Sequence, residues 1–192
     1  MWNAITYNLA HLLDFAGRED RPTFWWYALF VVILQVLIGI VLALPMTIDA
    51  VGASMEAARA GATDTDVQSR ILANMANSGQ LQTQALISLI LNLAAIALLA
   101  AAFVRRVRDA GFAAWIALVV LASQVYAAIT EYFMSQRVVE EMQNALASGN
   151  AEAAAAAAND AMVSGIVGWI GLVVGIVLAV MKSKPAADPD RT

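Results

Sequence analysis

The sequence predicts an all-α integral membrane protein with four transmembrane helices, both termini in the cytoplasm and helical extracytoplasmic extensions. Three observations predict this class. Hydrophobic residues make up 61% of the 192 positions and charged residues only 14%, whereas soluble domains carry about 25% charged residues. Four apolar segments contain no charge, and each is long enough to cross a bilayer. The lysines and arginines are concentrated in alternate connecting segments.

The four apolar segments are residues 24–44, 85–104, 113–130 and 163–181. A helix rises about 1.5 Å per residue, so about 20 residues cross a hydrocarbon core about 30 Å thick. We expect helix in each segment, because lipid offers no hydrogen-bond partner to backbone amides and carbonyls. The first segment is too long for the apolar region of a signal peptide, and no short basic region precedes it. It is therefore predicted to be a membrane span.

The distribution of charge predicts the orientation. Segments 1–23, 105–112 and 182–192 hold eight of the eleven lysines and arginines. Loops 45–84 and 131–162 hold the other three, together with nine of the fifteen acidic residues. The excess of lysine and arginine on one side of a membrane marks the cytoplasmic side. Both termini and the short segment 105–112 are therefore predicted to lie in the cytoplasm.

Residues 2–13 are predicted to form a helix with one apolar face. The apolar face consists of Trp2, Ile5, Leu9, Leu12 and Leu13, whereas Asn3, Asn8 and His11 lie largely elsewhere. Two arrangements fit this pattern: a helix lying flat on the cytoplasmic membrane surface, or a helix packed on the cytoplasmic end of the spans. In both, His11 is expected to be a solvated side chain.

Both outward loops are predicted to be largely helical. In loop 45–84 the apolar residues Val67, Ile71 and Met75 recur every four residues, and residues 77–79 form a stop signal. Pro45 and Gly61 are expected to interrupt this helix.

In loop 131–162 the apolar residues Val138, Met142 and Leu146 recur in the same way, before a turn at residues 149–150. The third helix is therefore predicted to run from Phe112 to about Ala147, with a new helix in the alanine-rich segment 151–162. The extensions either offer a docking surface to another protein or pack on one another. The tail, residues 184–192, is expected to be a flexible end.

Two sets of residues within the spans are candidates for specific contacts. Gln35, Asn92 and Gln124 are polar groups in apolar segments, so they either hydrogen-bond between helices or line a polar path. The fourth span presents a face of small residues. These are Ser164, Gly168, Gly171, Gly175 and Ala179. Such a face permits close approach of another helix, from the same chain or from a partner.

The cytoplasmic ends of spans one and two carry the most distinctive residues. The candidates for binding a lipid headgroup or a partner protein are Arg18, Arg21, Arg105, Arg106, Arg108, Asp109, Trp25, Trp26 and Trp115. The tryptophans fit an interfacial aromatic belt, and arginine forks bind carboxylates or phosphates. The acidic residues Asp14, Glu19 and Asp20 lie close by in the sequence. The alternative is a local ion-pair network that only helps to set the topology.

These segments read F-x-G-R-x-x-R-x-x-F-W-W from Phe15 and R-R-x-x-D-x-G-x-x-x-W from Arg105. The paired pattern resembles the family known as domain of unknown function 805, the YhaH-like bacterial inner-membrane proteins, over about residues 12–130. The sequence departs from the family pattern at Arg108, where a histidine is usual, and at Ile116, where a second tryptophan is usual. The resemblance implies a multi-span protein of the bacterial inner membrane and no particular reaction.

The composition argues against an enzyme. The chain has no cysteine and a single histidine, and it carries no nucleophile, metal or nucleotide-binding motif. We expect no cofactor, no metal site and, with a net charge of −4, no nucleic-acid partner. The leading hypothesis is a non-catalytic accessory or scaffold subunit of a larger membrane protein complex, in contact with lipids and with another membrane protein or a second copy. The alternatives are a small transporter or channel and an anionic-lipid-binding module.

Overall fold

The computed structural model describes residues 1–61, 67, 79–150, 153, 156 and 166–182, and every long regular element in this part of the chain is an α-helix. In chain order these are α1 (Trp2–Ala10), α2 (Arg21–Arg59), α3 (Gln80–Asp109), α4 (Ala114–Ala147) and α5 (Ile166–Val180). The predicted all-helical class is therefore confirmed for the described residues.

Three of these helices, α2, α3 and α4, are long and apolar enough to cross a membrane. Their most apolar windows have mean hydropathies of 2.8, 2.6 and 1.6. They contain almost all of the first three predicted spans. The described part of α5 comprises 15 residues and lies within the fourth predicted span, 163–181.

Helix α2 continues through Pro45 and ends at Arg59, so the expected interruption at Pro45 is wrong. A proline inside a helix costs about 3 kcal/mol relative to alanine, because it lacks an amide hydrogen and its ring crowds the preceding turn. Apolar surroundings tolerate this cost, since no alternative conformation satisfies the neighbouring backbone groups better. The break comes instead at Gly61, as expected, where φ is 65°.

Helix α4 confirms the long third helix. It is followed by a turn in which Gly149, with φ of 73°, donates its amide hydrogen to the carbonyl of Leu146 at 3.0 Å.

Several expectations concern residues outside the described part of the chain: the repeat at Ile71 and Met75, most of segment 151–162, and the tail 184–192. Within 151–162, Ala153 and Ala156 are described and helical.

The chain divides into two compact units. The first comprises Met1–Leu34, Leu93–Tyr126 and Gly168–Thr192. Its buried apolar core consists of Phe24, Tyr27, Ala28, Val31, Ala102, Phe103, Val104, Val107, Ala117, Val120 and Ala179. Tyr27 also joins α2 to α3, because its hydroxyl donates to the carbonyl of Leu98 at 3.1 Å. This unit contains all of the residues predicted to bind a lipid headgroup or a partner protein.

The second unit comprises Gln35–Asn92 and Ala127–Val167. Its buried contact centres on Met142 of α4, which packs against Leu81 of α3 and against Leu146. Residues Gln80 and Asp49 add a polar contact, since the side-chain amide of Gln80 donates to the Asp49 carboxylate at 2.8 Å. Side chains beyond the predicted spans thus connect the helices of this unit.

Candidate functional site

The candidate site is built near the end of α3, where Arg105 and Arg106 follow the second predicted span. Their exposed fractions are 1% and 0%, so both guanidinium groups are buried. Arginine is almost never buried to this extent without partners, because removing its charge from water is costly. The function of each arginine therefore follows from the groups that it contacts.

Arg105 binds the N-terminal segment through several hydrogen bonds. Its Nε donates to Oε2 of Glu19 at 3.0 Å, and its Nη2 donates to Oδ1 of Asn8 at 2.5 Å. Its Nη1 donates to the carbonyls of His11, at 3.0 Å, and of Asp14. One guanidinium thus holds α1, the loop after it and Glu19 against α3.

Asn8 and Glu19 close this network. The side-chain amide of Asn8 donates to Oε1 of Glu19 at 2.7 Å and to the carbonyl of Ala4 at 3.1 Å. Both side chains are buried. Desolvation by burial raises the pKa of Glu19 above its ordinary value of 4.5, although the hydrogen bond from Asn8 and the charge of Arg105 act in the opposite direction. The ring of Tyr7 lies 5.7 Å from the guanidinium carbon of Arg105, within the range of a cation–π contact.

Arg106 binds the end of α5. Its Nε donates to the carbonyl of Ala179 at 3.0 Å, and its Nη2 donates to the carbonyl of Met181. Asp109 balances the charge, with its Oδ2 at 2.5 Å from Nη1 of Arg106. The last carbonyls of a helix lack partners within the helix and attract positive charge. Arg106 therefore caps α5 and joins it to α3.

Arg108 and two glycines shape the chain around these arginines. Nη1 of Arg108 donates to the carbonyl of Phe15 at 2.7 Å. Gly17 and Gly111 have φ values of 86° and 87°, which other residues rarely adopt. At the end of α3, Gly111 donates its amide hydrogen to the carbonyl of Arg108 at 3.0 Å. The glycines of both motifs therefore form the turns that bring the two segments together.

The remaining candidate residues are exposed or half-buried on the surface of the first unit. Arg18 is exposed and Arg21 is half-buried, and neither side chain has a hydrogen bond or ion pair within the described residues. The indoles of Trp25 and Trp26 are 37% and 45% exposed, and Trp115 is also exposed. The structure thus divides the predicted arginines in two: those whose side chains bond to their own chain, namely Arg105, Arg106 and Arg108, and those whose side chains do not within the described residues.

The contribution of Asn8 was missed by sequence reasoning, which placed this residue away from the apolar face of α1. It is buried with Ala4 and Ile5, whereas Trp2 and Leu9 are 70% and 43% exposed. Positions 4, 5 and 8 share a helical face, and this spacing is the signal that could have identified Asn8. Helix α1 therefore packs against its unit with one face and leaves an apolar face uncovered. His11 is partly buried; its ring stacks on Tyr7, with the ring centroids 4.4 Å apart.

The three polar residues within the spans belong to different units. In the second unit, Nε2 of Gln35 donates to Oδ1 of Asn92 at 2.9 Å, which joins α2 to α3. This contact has the geometry of an interhelical hydrogen bond. In the first unit, Nε2 of Gln124 is buried and has no hydrogen-bond partner among the described residues.

Part of the small-residue face of α5 packs within the chain. A Cβ atom at Gly175 would lie 3.5 Å from Cγ1 of Val120 and 3.9 Å from the ring of Phe103. Ala179 is buried in the same core. Gly168 and Gly171 belong to α5, and Ser164 lies outside the described residues.

The apolar helices and the two linked arginine motifs define a membrane-embedded helical protein. The family model described as "Protein of unknown function (DUF805)" matches residues 12–189, and the chain belongs to this family. The match confirms the resemblance carried by the two motifs and extends it beyond residue 130. No curated protein and no solved structure matches the chain.

Proposed function

We propose that the protein is a non-catalytic accessory or scaffold subunit of a larger protein complex in the bacterial inner membrane. The observation that carries the proposal is the burial of Arg105 and Arg106 in contacts with their own chain. Reactive groups must reach a substrate, whereas these side chains donate hydrogen bonds to Glu19, Asn8 and backbone carbonyls. The most distinctive residues of the family motif thus stabilise one arrangement of the chain, as a scaffold requires.

The same contacts support four spans with both termini in the cytoplasm. Arg105 and Arg106 follow the second predicted span, and they bind residues before the first span and at the end of the fourth. The N-terminal segment, segment 105–112 and the end of α5 therefore share one face of the first unit. The positive charge of these segments favours the cytoplasm.

Labelling of single cysteines tests this threading, and the absence of native cysteine makes each label unambiguous. We expect a cysteine at Ser148 to react with a membrane-impermeant maleimide in intact cells stripped of their outer membrane. A cysteine at Lys182 should react only after permeabilisation. Reaction of both residues from the same side would contradict the proposed orientation.

The partner surface in this proposal is the part of α4 that continues beyond its apolar segment. Residues 131–147 remain helical, and they expose charged side chains along the helix. These are Glu131, Arg137, Glu140 and Glu141. Charged residues on a rigid helix outside the bilayer suit specific recognition of another protein.

Photo-crosslinking tests the scaffold role. A photoreactive residue in place of Arg137 should give a discrete crosslinked species in native membranes, and the double substitution Glu140→Lys and Glu141→Lys should abolish it. The same photoreactive residue in place of Leu37, an exposed side chain within the first span, is the lipid-facing control. A chain that crosslinks only to lipid at position 137 and purifies from mild detergent as a partner-free monomer would refute the scaffold role.

A further inference from the structure

Arg18 and Arg21 differ from the other motif arginines because their charges are not used inside the chain. Arg105 is neutralised by Glu19 and Arg106 by Asp109. Neither Arg18 nor Arg21 has an ion-pair partner within the described residues. Apart from Glu19, segment 18–21 contains two arginines and a single aspartate, Asp20. An excess of positive charge therefore remains at this point.

The charge of Arg21 lies close enough to that of Arg106 for the two to interact. The like charge of Arg21 opposes that of Arg106, although Asp20 and Asp109 offset part of this repulsion. A bound anion near Arg21 would relieve the repulsion, because opposite charges a few ångströms apart attract strongly where water is partly excluded.

Two exposed tryptophans indicate the depth of Arg18 and Arg21 in the membrane. Trp25 and Trp26 lie one turn along α2 from Arg21, which is about 6 Å along the helix axis. Exposed tryptophans at the end of an apolar helix occupy the headgroup region of the bilayer. Arg21, one turn towards the cytoplasm, is therefore placed at the level of lipid phosphates.

We infer that Arg18 and Arg21, flanked by Trp25 and Trp26, bind the phosphate of an anionic phospholipid from the cytoplasmic leaflet. The guanidinium fork matches the geometry of phosphate oxygens, and the indoles cover the upper part of the acyl chains. Arg105 and Arg106 take no part, since they are buried and their donors contact the chain itself. The site is independent of the partner surface on α4.

Native mass spectrometry of the full-length protein in mixed micelles tests this inference, with phosphatidylglycerol titrated against phosphatidylcholine as the probe. Each basic residue near a membrane surface contributes about 1 kcal/mol to anionic-lipid binding, so the variant Arg18→Gln, Arg21→Gln should bind phosphatidylglycerol about thirty-fold more weakly. The matched control is Arg59→Gln, Arg70→Gln, which removes the same charge from the two arginines of the outward loop 45–84. It should bind as the natural protein does.

Two further measurements make the outcome decisive. The variant Arg18→Lys, Arg21→Lys should recover most of the binding, because the positive charge is kept. Inorganic phosphate at millimolar concentration should not displace the lipid, since the indoles contribute only when acyl chains are present. Equal weakening in the control variant, unchanged binding in Arg18→Gln, Arg21→Gln, or full displacement by inorganic phosphate would each overturn the inference.

Discussion

The buried pair of Arg105 and Glu19 should be among the largest single contributions to the stability of the first unit. We consider two substitutions, Arg105→Met and Glu19→Gln. The first removes the donors of four hydrogen bonds and leaves a buried carboxylate without its countercharge. The second keeps the shape of the side chain but places an uncharged amide beside the guanidinium.

The structure sets the expected magnitudes. Removing one partner of a buried ion pair costs about 3–5 kcal/mol, because the other charge stays buried and unpaired. The side chains of both residues are only 1% exposed, so little solvent screening reduces this figure. Arg105→Met should therefore lower the free energy of unfolding by about 3 kcal/mol or more. Glu19→Gln should cost less, because burial raises the pKa of Glu19 and so disfavours its charged form in the folded chain. The double substitution should cost less than the sum of the two, by about 2 kcal/mol.

Unfolding by sodium dodecyl sulfate in mixed micelles, followed by tryptophan fluorescence and circular dichroism, measures these differences. Arg137→Met is the control, because it removes an exposed arginine and should change stability by less than about 0.5 kcal/mol. If Arg105→Met costs no more than this control, or if the two substitutions are additive, the assignment of Arg105 and Glu19 as a stabilising pair is refuted.

Three further predictions concern single features of the chain. Gln35→Leu or Asn92→Leu should each cost about 0.6–2 kcal/mol in the same unfolding assay; the double substitution should cost less than the sum, and additive effects would exclude the interhelical hydrogen bond. The pKa of Glu19 is raised, so just above pH 4.5 the folded chain keeps a proton that the unfolded chain has lost. The free energy of unfolding should therefore fall as pH rises through this interval, and Glu19→Gln should remove that fall. An identical pH profile in the variant would contradict this prediction. A spin label on a cysteine at Leu9, an exposed residue of α1, should be accessible to oxygen dissolved in lipid, and one at Asn3 to a water-soluble nickel reagent. Equal accessibility to the nickel reagent would show that the exposed face of α1 does not contact the membrane.

Much of the candidate site followed from sequence, but its internal division did not. Charge and aromatic residues at two span ends identified Arg18, Arg21, Arg105 and Arg106 as one region. Sequence could not separate Arg105 and Arg106, which are buried, from Arg18 and Arg21, which are exposed and half-buried, because all four are arginines beside apolar helices. That separation depends on which carbonyls and carboxylates approach each guanidinium, and these belong to residues up to 97 positions away.

Pro45 and Asn8 are two single positions at which local sequence did not predict the structure. Pro45 looked like a helix end, because local propensity disfavours proline inside helices. The flanking apolar residues outweighed this cost, and α2 continues to Arg59. Asn8 looked like a surface residue, because an unpaired amide is costly to bury. It is buried because Arg105 and Glu19 satisfy its side-chain oxygen and nitrogen.

Sequence alone determined that this is a helical membrane protein, because long apolar segments without charge have one stable conformation in lipid, and that conformation satisfies its backbone locally. It also determined the family, since each of the two arginine motifs is an unbroken stretch of sequence. Only the tertiary structure decided that Arg105 holds the N-terminal helix and that Arg106 caps the last one. A hydrogen bond depends on distances of about 3 Å between groups remote in sequence, and no local pattern records those distances.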